Sequence, residues 1–353
     1  MQTRPTYSVP DLRQLATAAL ECCNVPRADA ELTAHSLVQA DQRGIHSHGL
    51  LRLPLYVEAL RLGGINPTPN LSYSSKADSV AILDADAALG QVAMQSAVDK
   101  VIEIGQIHGI SAVAVQNSSH YGAGAFWSDQ LAAAGFLSFI TSSTGPVVAP
   151  HGGTTKVLGT NPLTLGAPGS SGWPLTADLA TSNGAYGKVI AARNEGQQLP
   201  EGWAVDTDGN PTTDPEAAAA GSMIPFGDHK GSAVAVLLEA FASSLTDATY
   251  AYETIDIWSN PASLMNNGHL VIGINTDAFA GRSHTEDRVA DLQKRVRNSG
   301  PADRTVQAPG DPEHALEMGA ASVMQLPNST ADQLRQLARE HSIPANFLTS
   351  TAQ

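Results

Sequence analysis

The densest chemistry in this 353-residue chain is the segment Arg43-Gly44-Ile45-His46-Ser47-His48-Gly49-Leu50-Leu51-Arg52. It sets two histidines, a serine and two arginines between glycines, where one helix pattern gives way to the next. Hydride reduction of a C=O group at neutral pH needs a proton donor beside the oxygen, and an imidazole has a pKa suited to that task. A 2-oxo carboxylate also needs a cation, and the planar guanidinium fork of arginine grips it through two hydrogen bonds. His48 and Arg52 are four apart, so a single helical turn would face both the same way. A capped loop with surface histidines has the same spacing, and spacing alone leaves both readings open.

A second segment, Asn117-Ser118-Ser119-His120-Tyr121-Gly122-Ala123-Gly124, lies between a strand pattern and a helix pattern. Its small residues suggest an open helix N-terminus with free N–H groups suited to a phosphate or carboxylate. His120 is either an acid/base group or a cofactor contact there; an ordinary capped helix is the alternative. The third set is Gly159-Thr160-Asn161-Pro162, Asp178-Leu179-Ala180-Thr181-Ser182 and Gly227-Asp228-His229-Lys230-Gly231. Lys230 opens a helix, where its ammonium and the helix dipole would act on one anion. Asp178 reads more simply as a cap than as a catalytic group, and His151 and His229 as structural or surface residues.

Two hydrolytic readings compete with reduction. His46-x-His48 resembles half of a metallohydrolase site, with His120 and Asp178 as further ligands on paper, but no helical HExxH pair or second ligand cluster accompanies it. No metal is therefore expected. A serine hydrolase would need a G-x-S-x-G elbow, which the chain lacks.

The elements that must position these residues follow from periodicity. Ser8, Pro10 and Asp11 mark a helix start, with Leu12, Leu15, Ala16 and Ala19 as its stripe. Helices are expected near 28–43 and 55–62, so the N-terminal region is all-helical. From Val80 the pattern reads strand 80–84, helix 90–107, strand 110–116, helix 123–134 and strand 136–142. That βαβαβ order invites a Rossmann unit, but the turn after its first strand is Asp84-Ala85-Asp86-Ala87-Ala88-Leu89-Gly90, with two acids where phosphates would sit. Short strands with tight turns are expected in 145–172, a strand at 175–179, a helix from 185 and a polar surface loop over 196–221. Helices at 230–245, 286–298 and 330–341 and a strand at 270–275 complete the reading.

Bulk properties narrow the partners. Hydrophobic residues make up 42% and charged residues 15%, as in a compact enzyme, and the longest apolar runs are too short to span a membrane. The formal charge of −14 disfavours nucleic acid and anionic membranes, so an anionic ligand needs local cations from a supply of only 20 lysines and arginines. Cys22 and Cys23 are adjacent, and Met1–Ser8 lacks a signal pattern, so a reducing cytoplasm is expected.

Taken in order, Arg43 to Tyr56, Asn117-Ser-Ser-His-Tyr-Gly, Pro150-His-Gly-Gly, Leu158-Gly-Thr-Asn-Pro, Asp178-Leu-Ala-Thr-Ser, Pro200-Glu-Gly-Trp-Ala-Val-Asp, Pro211-Thr-Thr-Asp-Pro and His229-Lys-Gly closely resemble the motifs of the malate/L-lactate dehydrogenase family. That group includes malate, sulfolactate and ureidoglycolate dehydrogenases and the piperideine/pyrroline-2-carboxylate reductases. The resemblance implies an α/β fold that is not a Rossmann fold, with a largely antiparallel cofactor-binding sheet, helices and an N-terminal helical layer. It implies NAD or NADP, a small carboxylate substrate and a homodimer with active sites near the interface. His48 would donate the proton with Ser47 beside it, Arg52 would hold the carboxylate, and His120 would lie at the nicotinamide, with either histidine as the acid/base. Thr160 would contact the substrate. The cofactor would run over His120, Tyr121, Gly122, Ala123, Gly124, Ser142, Ser143, Thr144, Asp178, Leu179, Ala180 and Lys230, with Pro309 and Gly310 closing over it.

The chain is expected to divide into a helical segment, 1–75, packed with 311–353, and a cofactor- and substrate-binding α/β domain, 76–310. The expected reaction is hydride transfer between NAD(P)(H) and C2 of a small 2-oxo or 2-hydroxy acid. Pro225-Phe-Gly-Asp-His-Lys-Gly-Ser-Ala resembles instead the branch that reduces cyclic 2-imino carboxylates. Against that branch, Lys188 stands where it places a relay aspartate, and Asp228 replaces a usual glycine.

Overall fold

The computed structural model describes residues 5–170, 173–344 and 347. The chain opens with β1 (Thr6–Ser8), α1 (Val9–Glu21) and α2 (Arg27–Gln42), passes two single 3-10 turns at His46–His48 and Leu50–Arg52, and enters α3 (Leu53–Leu62). Next come β2 (Ser72–Ser74), β3 (Val80–Ala88), α4 (Gly90–His108), β4 (Ile110–Ser118), α5 (Gly124–Ala133) and β5 (Phe136–Ser142). They are followed by β6 (Leu163–Ala167), β7 (Leu175–Leu179), α6 (Tyr186–Glu195), β8 (Ala204–Val205), β9 (Pro211–Thr212), α7 (Pro215–Ala220) and β10 (Ser222–Met223). The chain then forms α8 (Asp228–Ser243), β11 (Asn267–Asn275), α9 (Arg282–Arg297), α10 (Asp311–Gly319), β12 (Val323–Gln325) and α11 (Asn328–Glu340).

The helical layer forms for local reasons. The Ser8 hydroxyl accepts the Asp11 N–H at 3.3 Å, and Pro10 occupies the first turn, where its missing N–H costs little. Gly63 ends α3 at φ +81°, a left-handed stop that disfavours a side chain. The apolar faces of α1, α2 and α3 meet Leu334, Leu337 and Ala338 of α11 in one core, with Leu12, Leu15, Leu37, Leu53 and Tyr56 at its centre.

The main sheet has the order β2-β3-β4-β11-β5-β6-β7. Among the described residues only β3 and β4 run parallel; the other five neighbouring pairs are antiparallel. The βαβαβ pattern is therefore misleading, because β11 enters between β4 and β5. Leu270–Gly273 is a short apolar run with mostly buried side chains, as a central strand requires. Its insertion brings several chain ends to one edge of the sheet. Ser118 pairs with Asn267, His269 with Ser142, Thr141 with Leu163, and Leu163 with Leu179.

Four local expectations need correction. The N-terminal region is not all-helical, since β1 pairs with β12 and β2 with β3. The segment 84–90 is no free turn: β3 continues to Ala88 through an irregularity in which Asp86 and Ala87 take φ +50° and +56°. Its acids serve local bonds, Asp84 accepting from the Asn117 amide at 3.0 Å and Asp86 from Asn66 at 3.0 Å. Within 145–172 the strand is β6, supplemented by a bridge between Val148 and Leu158. The stretch 196–221 is no plain surface loop, since Leu199, Ala204 and Ala218 join Val148 and Val189 in a small core of their own.

The bulge in β3 has a consequence for position 120. It delivers Gly90, whose N–H donates to Ser119 Oγ at 3.0 Å, against the backbone of the next residue. A Cβ on Gly90 would lie 2.4 Å from the His120 carbonyl carbon, whereas one on Gly319 would meet nothing within 4 Å. Gly90→Ala should therefore cost about 1–3 kcal/mol, the usual range for overpacking. Chemical denaturation of Gly90→Ala against Gly319→Ala checks this; equal midpoints would mean that the backbone contact is not tight.

Candidate active site

The site begins with a buried carboxylate. Asp41, in the last turn of α2, is 1% exposed at its side chain; its Oδ1 lies 2.7 Å from His46 Nδ1, and its Oδ2 accepts the Leu50 N–H at 2.7 Å. A Cβ at Gly49 would sit 2.3 Å from that carboxylate, so the chain passes this point only as glycine. Burial raises the Asp41 pKa, while the bonds to His46 and Leu50 oppose the shift. One carboxylate thus clamps both sides of the loop that carries His48.

The loop is not a single helical turn. Gly49, at φ −90° and ψ −153°, breaks it into two 3-10 turns, so the i,i+4 argument for His48 and Arg52 does not apply. The two meet by another route: Arg52 Nε donates to the Ser47 carbonyl at 2.8 Å, and Ser47 Oγ lies 2.9 Å from His48 Nδ1. The Arg52 guanidinium carbon sits 4.9 Å from the centroid of the Trp258 ring. Among the described residues its Nη1 and Nη2 meet no acceptor, leaving a fork with a free edge. The loop's other arginine is elsewhere. Arg43 is buried in ion pairs with Asp129 (2.8 Å) and Glu317 (2.8 Å), and this charge network, not an apolar stripe, holds α10.

His120 approaches from the sheet. Its ring stacks on that of His48 with centroids 5.3 Å apart and planes at 29°. Its Nδ1 receives the Gly122 N–H at 3.3 Å and lies 2.6 Å from the Tyr56 hydroxyl, which in turn accepts from Gln91 Nε2 at 3.3 Å. A backbone N–H can only donate, so Nδ1 is the acceptor and the ring proton belongs on Nε2. Burial, with the Arg52 charge as second cause, holds the His48 pKa at about 3. The same two causes, followed by His48 and His269, hold His120 well below the usual histidine value. Both rings are neutral at pH 7 in the unliganded protein. Tyr56, Gln91, Asp41 and Trp258 were not singled out as site residues in the sequence. Tyr56 entered only as the last residue of the Arg43–Tyr56 motif, and Gln91 and Trp258 lie outside the motifs. The phenol and amide are legible only once the fold brings them under His120.

The residues expected to hold a cofactor gather along the sheet edge already described, but not all face outward. Ser142 Oγ is turned to His269 Nδ1 at 2.8 Å, and Ser143 Oγ accepts from Gly268 N–H at 2.9 Å, so both hydroxyls are spent inside the sheet. Thr144 Oγ1 accepts the Thr160 N–H at 2.9 Å, which joins the ends of two neighbouring loops. The N-terminus of α5 is not open: Asp178 accepts from the Ala125 N–H at 3.0 Å and from Thr164 Oγ1 at 2.8 Å, which makes it a cap from the neighbouring strand. Leu179, Ala180 and Lys230 are exposed, Lys230 in the first turn of α8. Asp228 takes φ +54°, a left-handed backbone that glycine adopts readily. Pro309 accepts the Thr176 N–H, and Gly310 shares a small cleft with Asp178, Ala125 and His314.

This edge fits a nicotinamide nucleotide. Gly122 and Gly124 are packed against Ser36 and Thr164, Lys230 stands exposed beside the edge, and the Tyr121 hydroxyl is buried without a hydrogen-bond partner among the described residues. A metal fits less well. Asp41 takes up His46, and among the described residues no three His, Cys, Asp or Glu side chains converge as a ligand set. Lys188 is exposed on α6, its ammonium 5.9 Å from the Trp203 ring centroid; His151 and His229 are also exposed, with centroids 6.1 Å apart.

The family model described as malate/L-lactate dehydrogenase matches residues 7–335. The (2R)-3-sulfolactate dehydrogenase (NADP(+)) of Chromohalobacter salexigens is 34% identical over 331 residues, 94% of this chain and 97% of that protein. The Δ1-pyrroline-2-carboxylate/Δ1-piperideine-2-carboxylate reductase of Pseudomonas putida is 35% identical over 282 residues, covering 77% and 82%. Among solved structures, sulfolactate dehydrogenase from Methanocaldococcus jannaschii superposes with a TM-score of 0.89 at 31% identity, covering 97% of this chain and 98% of that one. Fold and site together define an oxidoreductase. The chain belongs to the malate/L-lactate dehydrogenase family.

The Asp41 brace can be tested alone. Asp41→Ala strands the Leu50 N–H and frees His46, so it should cost about 1–3 kcal/mol in stability and lower turnover. Loss of His46 alone, in His46→Ala, should cost less, because Leu50 keeps its acceptor. Thermal unfolding with parallel assays checks the order, and equal losses in the two variants would refute it.

Proposed function

We propose that this oxidoreductase transfers a hydride between NAD or NADP and C2 of a small 2-oxo or 2-hydroxy acid. The observation that carries the reading is the Arg52 fork, fixed at Nε and free along its Nη edge, beside two stacked neutral imidazoles. When bound, the nicotinamide supplies or takes the hydride. Arg52 holds the carboxylate in plane, and such orientation contributes much of the ~7–11 kcal/mol available from placing reactants. His120, with its proton on Nε2, donates a hydrogen bond to the C2 oxygen. His48 supplies the proton, its charge supported by Ser47. The cofactor lies along the edge from His120–Gly124 past Thr144 and Thr160 to Asp178–Ala180 and Lys230, with Pro309-Gly310 beside it, in a manner unlike a Rossmann domain.

The resting His48 is a weak base because water is excluded and because Arg52 is charged. A substrate carboxylate opposes the second cause, the Arg52 charge, so its arrival raises the His48 pKa and favours the protonated ring. Binding is thereby coupled to acid formation.

The imine reading rests on Ser232-Ala233 and on the relative named as a reductase of cyclic imines. The Ser232 hydroxyl is engaged with the His151 N–H at 3.0 Å, and Lys188 cannot serve as a carboxylate relay, so the oxo-acid reading is preferred. Hydrolysis by a metal bound at His46 and His48 has no support in the family.

A second copy of the chain is the proposed partner. Leu165 and Leu179 on one sheet face, and Val236, Leu237 and Phe241 on the adjoining α8, are all more than two-fifths exposed, an apolar patch that a copy of the chain would cover. The proposed division is a helical unit, 1–75 with 311–353, and a cofactor-binding unit, 76–310, with β2 crossing from the first to pair with β3 in the main sheet. Cys22 and Cys23 are free thiols, and no described helix is long and apolar enough to cross a membrane; we place the protein in a reducing cytoplasm.

A panel of pyruvate, oxaloacetate, sulfopyruvate and piperideine-2-carboxylate, assayed with NADH and NADPH by loss of cofactor absorbance, tests the reaction. Turnover of the imine alone would reverse the preference. His48→Asn should lower kcat by ~10²–10⁴ with cofactor affinity kept. Arg52→Lys should raise KM for carboxylates by about tenfold or more, because a point charge replaces a fork. Full kcat in the first variant, or wild-type KM in the second, would remove that residue from its role.

The coupling has its own signature. Between pH 8 and 6, about the range over which a raised histidine titrates, affinity for the inert 2-oxo acid analogue oxamate should strengthen as pH falls. Calorimetry in buffers of different ionisation enthalpy should register proton uptake. A pH-independent affinity with no proton uptake would sink the linkage.

A further inference from the structure

Between α8 and β11 the chain forms a loop whose large side chains face solvent: Tyr252, Ile255, Trp258 and Leu264 are each more than half exposed. The loop itself is firmly seated. Ile257 and Met265 are buried in the helical core, and a Cβ at Gly64 would meet the Pro261 and Ser263 carbonyls at 2.1 and 2.9 Å. The Trp258 N–H donates to Asp256 Oδ1 at 2.8 Å, closing a tight turn that aims the indole outward. There it meets the Arg52 guanidinium, 4.9 Å from the ring centroid.

The chemistry of this contact differs from that of Arg43, which is neutralised by two carboxylates. Asp256 is close enough for Arg52 to feel its charge, yet makes no ion pair with it. A carboxylate partner would orient the fork but compete with a carboxylate ligand for the same N–H groups. An aromatic face attracts the cation through its quadrupole and uses none of those donors. Nε is tied to Ser47 and the ring takes up one face, so the remaining Nη edge points where an incoming anion can bind.

We propose that Trp258 is a specificity-determining residue for the carboxylate substrate. Its indole holds the Arg52 fork in a charged, unspent state and forms the outer wall that restricts the substituent on C2. This inference rests on the oxo-acid reading above. Trp258 acts through Arg52 and excludes bulk at the mouth; it does not touch the proton.

The test compares wild type, Trp258→Phe and Trp258→Leu in the full chain with its nicotinamide cofactor. Calorimetric affinity for oxamate is measured beside KM and kcat for pyruvate and for a branched 2-oxo acid, with thermal unfolding as a control. In Trp258→Leu the oxamate Kd and the pyruvate KM should rise by about two- to fivefold, the loss expected for a cation–π contact on an exposed ring. Its kcat and unfolding temperature should stay near wild type, and the branched acid should gain on pyruvate. Trp258→Phe, which keeps a π face, should restore most of the oxamate affinity. Equal oxamate affinity in wild type and Trp258→Leu overturns the proposal, as does a Phe variant as weak as the Leu variant. Should wild type bind no oxamate and reduce no 2-oxo acid, the carboxylate reading itself fails, an outcome distinct from both.

Discussion

Everything at this site hangs from one carboxylate held out of water. Burying a charge is costly unless its lone pairs are used, and Asp41 uses them on the His46 ring and the Leu50 N–H, one on each side of His48. The arrangement exchanges the regular hydrogen bonds of a continuing helix for a fixed bend. Gly49 is the consequence, since a side chain there would occupy the space of the carboxylate. The bend lets Arg52 reach back to the Ser47 carbonyl, so the proposed substrate-binding cation and the proposed acid/base imidazole share a frame one residue wide. His46 belongs to that frame, so the two imidazoles of the H-S-H sequence do unlike work.

The second imidazole reaches the same place from another body of packing. Tyr56 is rooted in the helical core, whereas His120 follows β4, whose side chains fill the sheet's core. The bond between Tyr56 and His120 therefore crosses the joint between layers, as does the His48–His120 stack. A shift of one layer against the other would strain the Tyr56–His120 bond and the angle of the stack, while the Gly122 N–H, in His120's own loop, kept the tautomer. The irregularity in β3, the tight seat of Gly90 and the buried Gln91 amide all brace that joint. Left-handed Asp86 and Ala87 are the conformational cost, of the kind often stored beside functional sites.

His48, Arg52 and His120 were legible in the sequence because each is a polar side chain set among glycines and small residues, where a core has no use for it. Asp178 was legible as a cap, and it is one, although the helix it caps precedes it by fifty residues in sequence. Asp41 and Tyr56 were not legible. Each lies on a helix whose spacing looks ordinary, and the partner that gives it meaning is decided by tertiary packing. The order of the sheet was hidden for a similar reason: no local pattern says that β11 inserts between strands read over a hundred residues earlier. Helix α10 escaped because it has no buried stripe; its hold is Glu317 on Arg43, a contact across more than 270 residues. Periodicity reports burial, and where charge does the holding it has nothing to report.

The electrostatics divide into two ranges that act in opposite directions. At long range the chain, at −14, repels the anions it is proposed to bind, and solvent ions screen that repulsion within about 10 Å. At short range the site presents an arginine that has no ion-pair partner among the described residues, beside two imidazoles whose own charging is suppressed. On the proposed reading, a carboxylate entering this space would find a fixed, under-compensated cation, and its arrival would let a neighbouring imidazole accept the proton that reduction consumes. Recognition and acid formation then become one event. Had His48 been charged at rest, Arg52 would face a like charge before the ligand came. Had Arg52 been paired, as Arg43 is, the ligand would have to displace a carboxylate already in place. In the proposed reaction the neutral imidazoles and the guanidinium are thus two halves of one condition: the negative charge that completes the site is the substrate's.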